Sequence, residues 1–435
     1  MRLTVFLVSV GLLSPAAAAL AQAPSAPAGP AAPAPAPAAV AASSRSLSLE
    51  DALRAARDNT DVSLARRAVD AAASDRVAAD RSPTPVFSAK AGSIDLEHGI
   101  GPGQVLRDKR IDKGLGLDWT VERGDKRALR TRAAERGLDA ARMDLAEVSV
   151  QQQMAAASAF YGLLAAQERL QQMQAIEQAA SELARAAQRR LQAGDLSRQE
   201  ALRTDIEARR AQAESRAAQS DVARAQWALS QATGLSGPLM AATVWPALQL
   251  PLGEPGDPAL RADVRAAQER LRAAQVAFDA AQALRRNDVT IGASLDHIPG
   301  TSRRQLELRL QMPLAGVLGT YDYQGEIGKA RAALDQAQDQ LDKTLRAARI
   351  DHERIAEDLR LAAARGTDFH DVIVPRARDV AQMAELAWSR GALPLADLIE
   401  ARRTLRAVLL DDIAARADYA RALATWQLRQ VPVTP

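Results

Sequence analysis

Two stretches of the chain match each other 197 residues apart, and this internal duplication constrains the fold more than any other feature. Residues 194–204 read GDLSRQEALRT, and residues 391–401 read GALPLADLIEA. Glycine, leucine, a small turn residue and an acid recur in register. Each copy follows one long helical pattern and precedes another, so the sequence predicts a helical hairpin at the same place in each half.

The predicted helices around these hairpins are long. Two of them exceed 60 residues, and at ~1.5 Å rise per residue each would measure about 95 Å. Helical patterns of this length without internal caps are typical of coiled coils. The predicted helices cover approximately residues 48–80, 124–191, 197–233, 258–286, 325–388 and 395–430.

The second long helix carries small and aliphatic residues at alternating spacings of three and four, which is the pattern of a coiled-coil seam. Aromatic residues make up only 3% of the chain, so we expect thin, closely packed helices in place of a thick globular core. The seam consists of Ile327, Ala330, Leu334, Ala337, Leu341, Thr344 and Ala348.

The N-terminal segment has the features of a secretory signal, so we expect residues 1–21 to be a cleaved signal peptide. Residues 22–46 are rich in alanine and proline, and we expect a disordered linker there. The chain has no cysteine, which excludes disulfides, thiolate metal sites and a lipid-modified N-terminal cysteine. No later segment is apolar enough for a transmembrane helix. The net charge of +3 gives no reason to expect nucleic acid as a partner.

Four segments between the helices alternate apolar and polar residues, which predicts strands with one face of each kind. They cover about residues 86–95, 111–121, 288–297 and 304–312. An exported protein could place such an apolar face against lipid in a transmembrane β-barrel, whose strands alternate in this way. A single-chain barrel needs about eight strands or more. Four strands could therefore close only by oligomerisation, because lipid does not tolerate open edges.

Several local patterns together resemble the TolC-type outer-membrane efflux family over residues 47–430. Residues 49–59 (LEDALRAARDN) resemble the family's opening helix, and residues 257–265 (DPALRADVR) restart the second half. Residues 121–130 (VERGDKRALR) resemble the E-x-G-G-K-R pattern of the cobalt–zinc–cadmium subgroup. Residues 312–314 (MPL) and 323–327 (YQGEI) resemble that subgroup's P-L and N-Q-G-E-I. Asp125 and Tyr323 stand in place of the second glycine and the asparagine.

The resemblance implies an α+β membrane protein that forms a homotrimer. Its twelve-stranded outer-membrane β-barrel, with four strands from each chain, would continue into a periplasmic α-helical coiled-coil barrel. The two-fold repeat would divide the chain into residues 47–240 and 241–430. The protein would lie in the outer membrane of a Gram-negative bacterium, in contact with lipid, and extend into the periplasm.

The function implied by the resemblance is a passive channel of a tripartite efflux system, without enzyme activity or cofactor. It would dock on a periplasmic adaptor (membrane fusion) protein and on an inner-membrane pump of the proton-driven resistance-nodulation-division type, and export heavy-metal cations. A drug or type I protein-secretion channel is an alternative of the same class. A periplasmic coiled-coil adaptor or structural protein is an alternative of another class, although the alternating strands argue against it.

The resemblance assigns the two hairpin motifs to periplasmic tips that contact the adaptor. Glycine just past a helix suits a left-handed C-terminal cap, and serine or proline can begin the returning helix. A plain helix–turn–helix without a partner would fit the same residues. The candidate tip residues are Gly194, Asp195, Leu196, Ser197, Gly391, Ala392, Leu393 and Pro394.

A pore gate is implied near the second tip. In the family, acids one turn beyond this tip form rings around the closed pore, and the matching residues are Asp397 and Glu400. They are three residues apart, so one helix face presents both, and a ring of such carboxylates attracts cations. A solvated helix face is the alternative. Glu200 is the matching acid after the first tip. Trp388 replaces a family tyrosine that latches the aperture, and Leu393 aligns with its arginine partner.

No metal site is predicted, and no nucleophile–base arrangement or phosphate loop is found. The glycines at 99, 101 and 103 are interpreted as an extracellular loop tip. Trp119 and Tyr321 are candidates for an aromatic girdle at the membrane boundary, with ordinary packing as the alternative. The histidines, none of which has ligand spacing, are His98, His297, His352 and His370.

Overall fold

A computed structural model of the 435-residue chain describes residues 45–92, 97, 102, 111–242, 244–251, 256–298, 302–314 and 321–430. The predicted signal peptide, nearly all of the predicted linker, His98 and the glycines at 99, 101 and 103 lie outside these residues. The α-helices of the described part are α1 (Leu49–Ala56), α2 (Thr60–Ala79), α3 (Lys126–Gln192), α4 (Arg198–Thr233), α5 (Ala262–Ala283), α6 (Gln324–Thr367), α7 (Val374–Ser389) and α8 (Leu395–Gln430).

The strands of the described part form two sheets. A four-stranded antiparallel sheet has the order β2-β3-β5-β6, and a separate parallel pair joins β1 to β4. The strands are β1 (Arg45–Leu47), β2 (Val86–Gly92), β3 (Asp112–Val121), β4 (Leu239–Ala241), β5 (Val289–Ile298) and β6 (Ser302–Gln311).

The first predicted helix, residues 48–80, is in fact two helices. The chain turns at Asn59, whose side-chain oxygen accepts a hydrogen bond from the Asp61 N–H at the start of α2. The Asn59 amide also donates to the Ala232 carbonyl at the end of α4, 2.8 Å away. Asparagine favours this capping role over a helix interior because its short side chain competes with the backbone hydrogen bonds.

The two long helices differ in continuity. Helix α3 runs for 67 residues without a break, which corresponds to about 100 Å. The second long helix, predicted over about residues 325–388, is helical from Gln324 to Ser389, but a π-helical turn, Asp368–Ile373, lies between α6 and α7. Pro375, two residues after this turn, has no N–H to donate and its ring crowds the carbonyl four residues earlier, so the turn widens.

The four-stranded sheet forms from the alternating segments and has two unlike faces. Leu115, Leu117 and Trp119 of β3 lie on one face with Leu306, Leu308 and Leu310 of β6, and all six are more than half exposed. The opposite face carries glycine, serine, threonine and charged residues. Among the described residues, no helix of this chain covers the apolar face.

The parallel pair of β1 and β4 was not predicted. Residues 45 and 46, assigned above to the linker, belong to β1, and Leu47 pairs with Ala241. Strands of three residues carry too little alternation to be recognised in a sequence. Leu47 and Leu239 are nevertheless almost fully buried, so this pair closes one side of the main core.

The largest apolar core lies at mid-length of the helices. Residues of α1, α3, α4, α8 and the β1–β4 pair contribute to it, and four of its ten buried residues are alanines. Phe160 and Tyr161 meet edge to face with ring centroids 5.5 Å apart, and Trp245 stacks on Tyr161. Three of the chain's aromatic residues therefore pack together in this core.

The predicted heptad seam on α6 is confirmed as its packing face. Every seam residue is buried or half-buried, whereas most of their neighbours on α6 are exposed. Leu341 and Ala348 pack against Val264 and Ala267 of α5. The small side chains allow the two helices to approach closely, as the heptad spacing predicts.

Ion pairs link α8 to α3 beside the core. Arg416 contacts Glu168 at 2.5 Å and Asp412 at 2.9 Å, and Arg429 contacts Glu147 at 2.8 Å. The Trp245 indole N–H donates to Glu168 at 2.6 Å. Since buried charges are tolerated only when they are paired, these contacts fix the register of the two helices.

Two left-handed residues precede the long helices. Asp125 has φ 57° immediately before α3, and Tyr323 has φ 65° immediately before α6. These are the two positions where the subgroup pattern has glycine and asparagine, the residues that adopt this backbone most readily. None of the helices in the described residues is both long and apolar enough to cross a bilayer.

Tyr419 provides a test of the mid-length core. Its side chain is 1% exposed, and its hydroxyl donates to the carbonyls of Ala247 and Gln249 and accepts from the Gln249 N–H. We expect Tyr419→Phe to lower the free energy of unfolding by about 1–3 kcal/mol, because the backbone groups of residues 247–249 lose their partner. Thermal unfolding of the purified protein measures this.

Tyr161→Phe is the matched control, because Tyr161 is also buried but no side-chain hydrogen bond of its hydroxyl occurs within the described residues. Equal unfolding midpoints for the two variants would show that the Tyr419 hydroxyl does not stabilise the segment.

Candidate functional site at the hairpin tips

The two hairpin tips share one turn geometry. Gly194 and Gly391 have φ of 85° and 74°, which glycine adopts without steric cost. Beside the first glycine, the Asp195 N–H donates to the Arg190 carbonyl at 2.9 Å. In the second tip the Ala392 N–H donates in the same way to the Ala387 carbonyl, also at 2.9 Å. Both turns are Schellman motifs, so the sequence duplication is also a duplication of structure at this point.

The tips differ in how the returning helix begins. Ser197 and Glu200 form a capping box at the start of α4, with the Ser197 hydroxyl 2.6 Å from the Glu200 carboxylate. These hydrogen bonds hold the pKa of Glu200 below its usual value. In the second tip Pro394 occupies the position of Ser197, and proline has no hydroxyl with which to form the box. The equivalent acid, Asp397, is exposed, and its carboxylate has no partner among the described residues.

The carboxylates of Asp397 and Glu400 therefore remain free to interact with groups outside their own helix cap, whereas that of Glu200 does not. Both are exposed on the first turn and a half of α8, and Arg403 is 3.7 Å from Glu400. Glu200 instead satisfies backbone groups of its own helix. Glu200 thus lies on the first hairpin and caps α4, whereas Asp397 and Glu400 lie on the second hairpin.

Trp388 anchors the second hairpin. Its ring packs with Leu183 of α3 against the first turn of α8, where Leu395 and Leu398 are buried. The guanidinium carbon of Arg190 lies 4.9 Å from the centre of the Trp388 ring, within the range of a cation–π contact. Leu393, which aligns with the family's arginine, is not the partner of Trp388 in this way. Arg190 could not be predicted from the sequence, because the contact joins residues of the two different hairpins.

Two ion pairs join the hairpins along their length. Arg403 of α8 contacts Glu207 of α4, and Arg406 contacts Glu214 of α4 at 2.7 Å. The hydrogen bond from Arg403 lowers the pKa of Glu207, against the opposing effect of burial. The same bond raises the pKa of Arg403. These pairs were not predicted either, since nothing in a single sequence shows which acid meets which arginine across hairpins.

A cleft of about 410 Å³ lies between the two hairpins next to these pairs. Ala179 and Leu183 of α3 and Ile399 and Leu409 of α8 contribute apolar walls. Arg402 lies at the cleft and pairs with Glu385 of α7 at 2.9 Å. Charged pairs therefore join the hairpins at the rim of the cleft, and the cleft itself has largely apolar walls.

The structure contains no group of three or more potential metal ligands within its described residues. His352 lies beside Trp426, and His370 contacts Asp412 at 3.3 Å, while His297 pairs with Lys113 in the sheet. Trp119 and Tyr321 are both exposed. The Tyr321 hydroxyl donates to Glu326 at 2.6 Å and therefore also helps to start α6.

The Glu207–Arg403 pair generates a pH-dependent prediction. The hydrogen bond from Arg403 lowers the pKa of Glu207 in the folded protein. The pair therefore stabilises the folded protein fully above pH 4.5, the ordinary pKa, and this stabilisation is lost as pH falls through the lowered pKa. We expect Glu207→Gln to cost about 1 kcal/mol at neutral pH, because Arg403 is 43% exposed and water screens the pair.

Thermal unfolding between neutral and acidic pH measures this loss, and the difference between variant and native protein should shrink at the acidic end. Glu353→Gln, an exposed acid on α6, is the control. A difference that is unchanged by acid would contradict the pair.

Comparison with known proteins identifies the fold. No protein-family model matches the chain, and no curated protein sequence matches it. Among solved structures, the outer membrane protein VceC of Vibrio cholerae superposes with a TM-score of 0.70 at 17% identity, over 88% of this chain and 96% of its own. The outer-membrane channel OprN gives 0.67 at 20% identity, over 88% and 90%.

CusC, whose structures describe transmembrane channel formation, gives a TM-score of 0.67 at 16% identity, over 87% of this chain and 91% of its own. The chain therefore has the fold of outer-membrane channels of the TolC type, as the sequence resemblance predicted.

Proposed function

We propose that the chain is the outer-membrane channel of a tripartite efflux system and acts as a passive export duct. The observation that carries this proposal is the four-stranded sheet with an exposed apolar face. Leu306, Leu308 and Leu310 of β6 are 68%, 75% and 73% exposed, and Phe87 of β2 is 68% exposed. A water-soluble surface rarely presents so large a contiguous apolar area, whereas lipid covers one at no cost.

Within the part of the chain that the structure describes, the sheet has two open edges, since β2 and β6 each pair on one side only. Unpaired backbone groups are costly in lipid, so a membrane location requires that both edges be paired. We propose a homotrimer in which β6 of one copy pairs with β2 of the next, giving about twelve strands in a closed barrel. The two halves, residues 47–240 and 241–430, would each supply two strands and one helical hairpin.

The helices would form the periplasmic part of the duct. Helix α3 is long enough to reach about 100 Å from the sheet. We propose that the tips at residues 194–197 and 391–394 contact a periplasmic adaptor protein, and that the adaptor links them to a proton-driven inner-membrane pump. The exposed turns and the cleft between the hairpins support this, because a helical hairpin of a partner needs such a groove.

We propose that Asp397 and Glu400 form the gate near the second tip. The absent capping box leaves the Asp397 carboxylate unpaired, which favours it over Glu200 for attracting cations. The Arg190–Trp388 contact and the Glu207–Arg403 pair would hold the closed arrangement, because they join the two hairpins. Opening would require the hairpins to separate at these contacts.

Heavy-metal cations are the proposed cargo. The support is the resemblance of residues 121–130 and 323–327 to the cobalt–zinc–cadmium subgroup, together with the left-handed backbone at Asp125 and Tyr323. A duct that exports cations does not need to bind them tightly. A drug or protein exporter is the alternative, and growth of a deletion strain on zinc, cobalt, cadmium or antibiotics would distinguish them.

The mature protein should require detergent or lipid to remain in solution, and its mass should be that of three chains. Size-exclusion chromatography with light scattering measures both properties. The exposed leucine face of β6 is the physical reason for the detergent requirement. A monomer that stays soluble without detergent would contradict the barrel and favour the alternative of a periplasmic coiled-coil protein.

The gate proposal predicts a change in ion selectivity. Asp397→Asn combined with Glu400→Gln should reduce the cation preference of the channel by roughly twofold or more, because the ring of carboxylates loses its charge. Reversal potentials in planar bilayers under a salt gradient measure this. Asp75→Asn, an exposed acid on α2, is the control. If the gate variant keeps the native selectivity, the two acids do not line the pore.

A further inference from the structure

The polar face of the four-stranded sheet contains two ion pairs that each cross a glycine. In one row of the sheet, Lys90 of β2 and Asp296 of β5 are both direct neighbours of Gly114 on β3. The Lys90 ammonium reaches over this glycine and contacts the Asp296 carboxylate at 2.9 Å. Strands two positions apart are separated by about 10 Å, so the contact is possible only because no side chain stands between them.

The second pair repeats this arrangement one strand further along the sheet. Asp118 of β3 and Arg309 of β6 are the direct neighbours of Gly292 on β5. The Arg309 guanidinium donates to the Asp118 carboxylate at 3.3 Å across this glycine. Two of the glycines on this face thus occupy the positions over which a pair of opposite charges meets.

The space above each glycine is filled by its ion pair. A Cβ atom added at Gly114 would lie 2.6 Å from Cε and 2.9 Å from Cγ of Lys90, and would also collide with the Asp296 carboxylate. At Gly292 an added Cβ would lie 3.2 Å from Cγ of Asp118 and collide with its carboxylate. Both glycines have ordinary backbone angles, so the close approach of side chains explains them and a special turn does not.

We propose that Gly114 and Gly292 are positioning residues that hold the two ion pairs flat against the wall of the duct. In this position the cations neutralise Asp118 and Asp296, and neither pair projects into the interior of the proposed barrel. Glu307, 3.9 Å from Lys90 and 3.7 Å from Arg309, shares the same two cations. The proposal rests on the proposed channel function for its effect on transport, but the ion pairs themselves do not depend on it.

The charges of the polar face determine the ion selectivity that we expect of each variant. If Lys90 is removed, Asp296 loses its cation, and if Arg309 is removed, Asp118 loses its cation. Each loss would appear once per chain around a closed barrel, where a ring of unpaired carboxylates favours cations. An alanine at either glycine would push the paired side chains apart and into the interior of the proposed barrel. Both charges of the pair would remain, so the expected effect is obstruction without a change in net charge.

The first experiment measures the pairs without using transport. Thermal unfolding midpoints of the detergent-solubilised protein are determined for Asp118→Ala, Arg309→Ala and the double variant, in the native and in the Gly292→Ala background. The two single shifts should sum to more than the double shift in the native background and should add up in the Gly292→Ala background. Additive shifts in the native background would overturn the proposal even if the protein conducts no ions.

The second experiment measures the effect on transport in planar bilayers. Lys90→Met and Arg309→Met should each raise the cation-to-anion permeability ratio by about twofold, since each frees one carboxylate per chain. Gly114→Ala and Gly292→Ala should keep this ratio near its native value, because both charges remain, and should lower the single-channel conductance. Gly92→Ala is the matched control, because an added Cβ there meets only Asp112 at 3.9 Å on the same face.

The outcomes separate the proposal from the channel function. Native protein that forms no channel contradicts the proposed function, and the unfolding experiment then still decides the ion pairs. Channels in which Lys90→Met and Arg309→Met keep native selectivity would overturn the proposal, whether or not the glycine variants fold. Gly114→Ala and Gly292→Ala channels that match Gly92→Ala in conductance would overturn the positioning role of the glycines.

Discussion

Leu306, Leu308 and Leu310 stand in a row on β6 with no part of their own chain over them among the described residues. Every strand of the sheet adds to this apolar face, and the helices cannot cover it because their own apolar stripes pack on one another. The sheet therefore needs an apolar surface from outside the chain. Its two edges, unpaired among the described residues, need partners as well, and the proposed closed oligomeric barrel in lipid would satisfy both requirements at once.

The helices pack on one another although the chain has very few large side chains. Alanines let α5 and α6 approach closely. Three aromatic residues pack in the core that α1, α3, α4, α8 and the β1–β4 pair share. Charged pairs such as Arg416–Glu168 and Arg429–Glu147 then set the register of α8 on α3. Because removing one partner would leave a buried charge, these pairs resist sliding more than alanine contacts alone would.

The duplicated tips show how a small sequence change separates two copies of one motif. The turns at Gly194 and Gly391 have the same hydrogen bonds, yet serine follows in one copy and proline in the other. With serine, the carboxylate of Glu200 is used to cap its helix. With proline, the carboxylate of Asp397 remains available. A structural role in the first copy and a proposed functional role in the second thus follow from whether one hydroxyl group is present.

The sequence by itself determined the local features of this protein, because hydrophobic period and capping residues act within a few residues. The strand segments, the heptad face of α6 and the glycine turns of both tips are features of this kind. Tertiary structure alone decided which distant residues meet: Arg190 on Trp388, Glu207 with Arg403, and Lys90 with Asp296 across Gly114. These contacts depend on strand order, register and hairpin packing, and a side chain's partner cannot be inferred from spacing when the two residues lie on different elements.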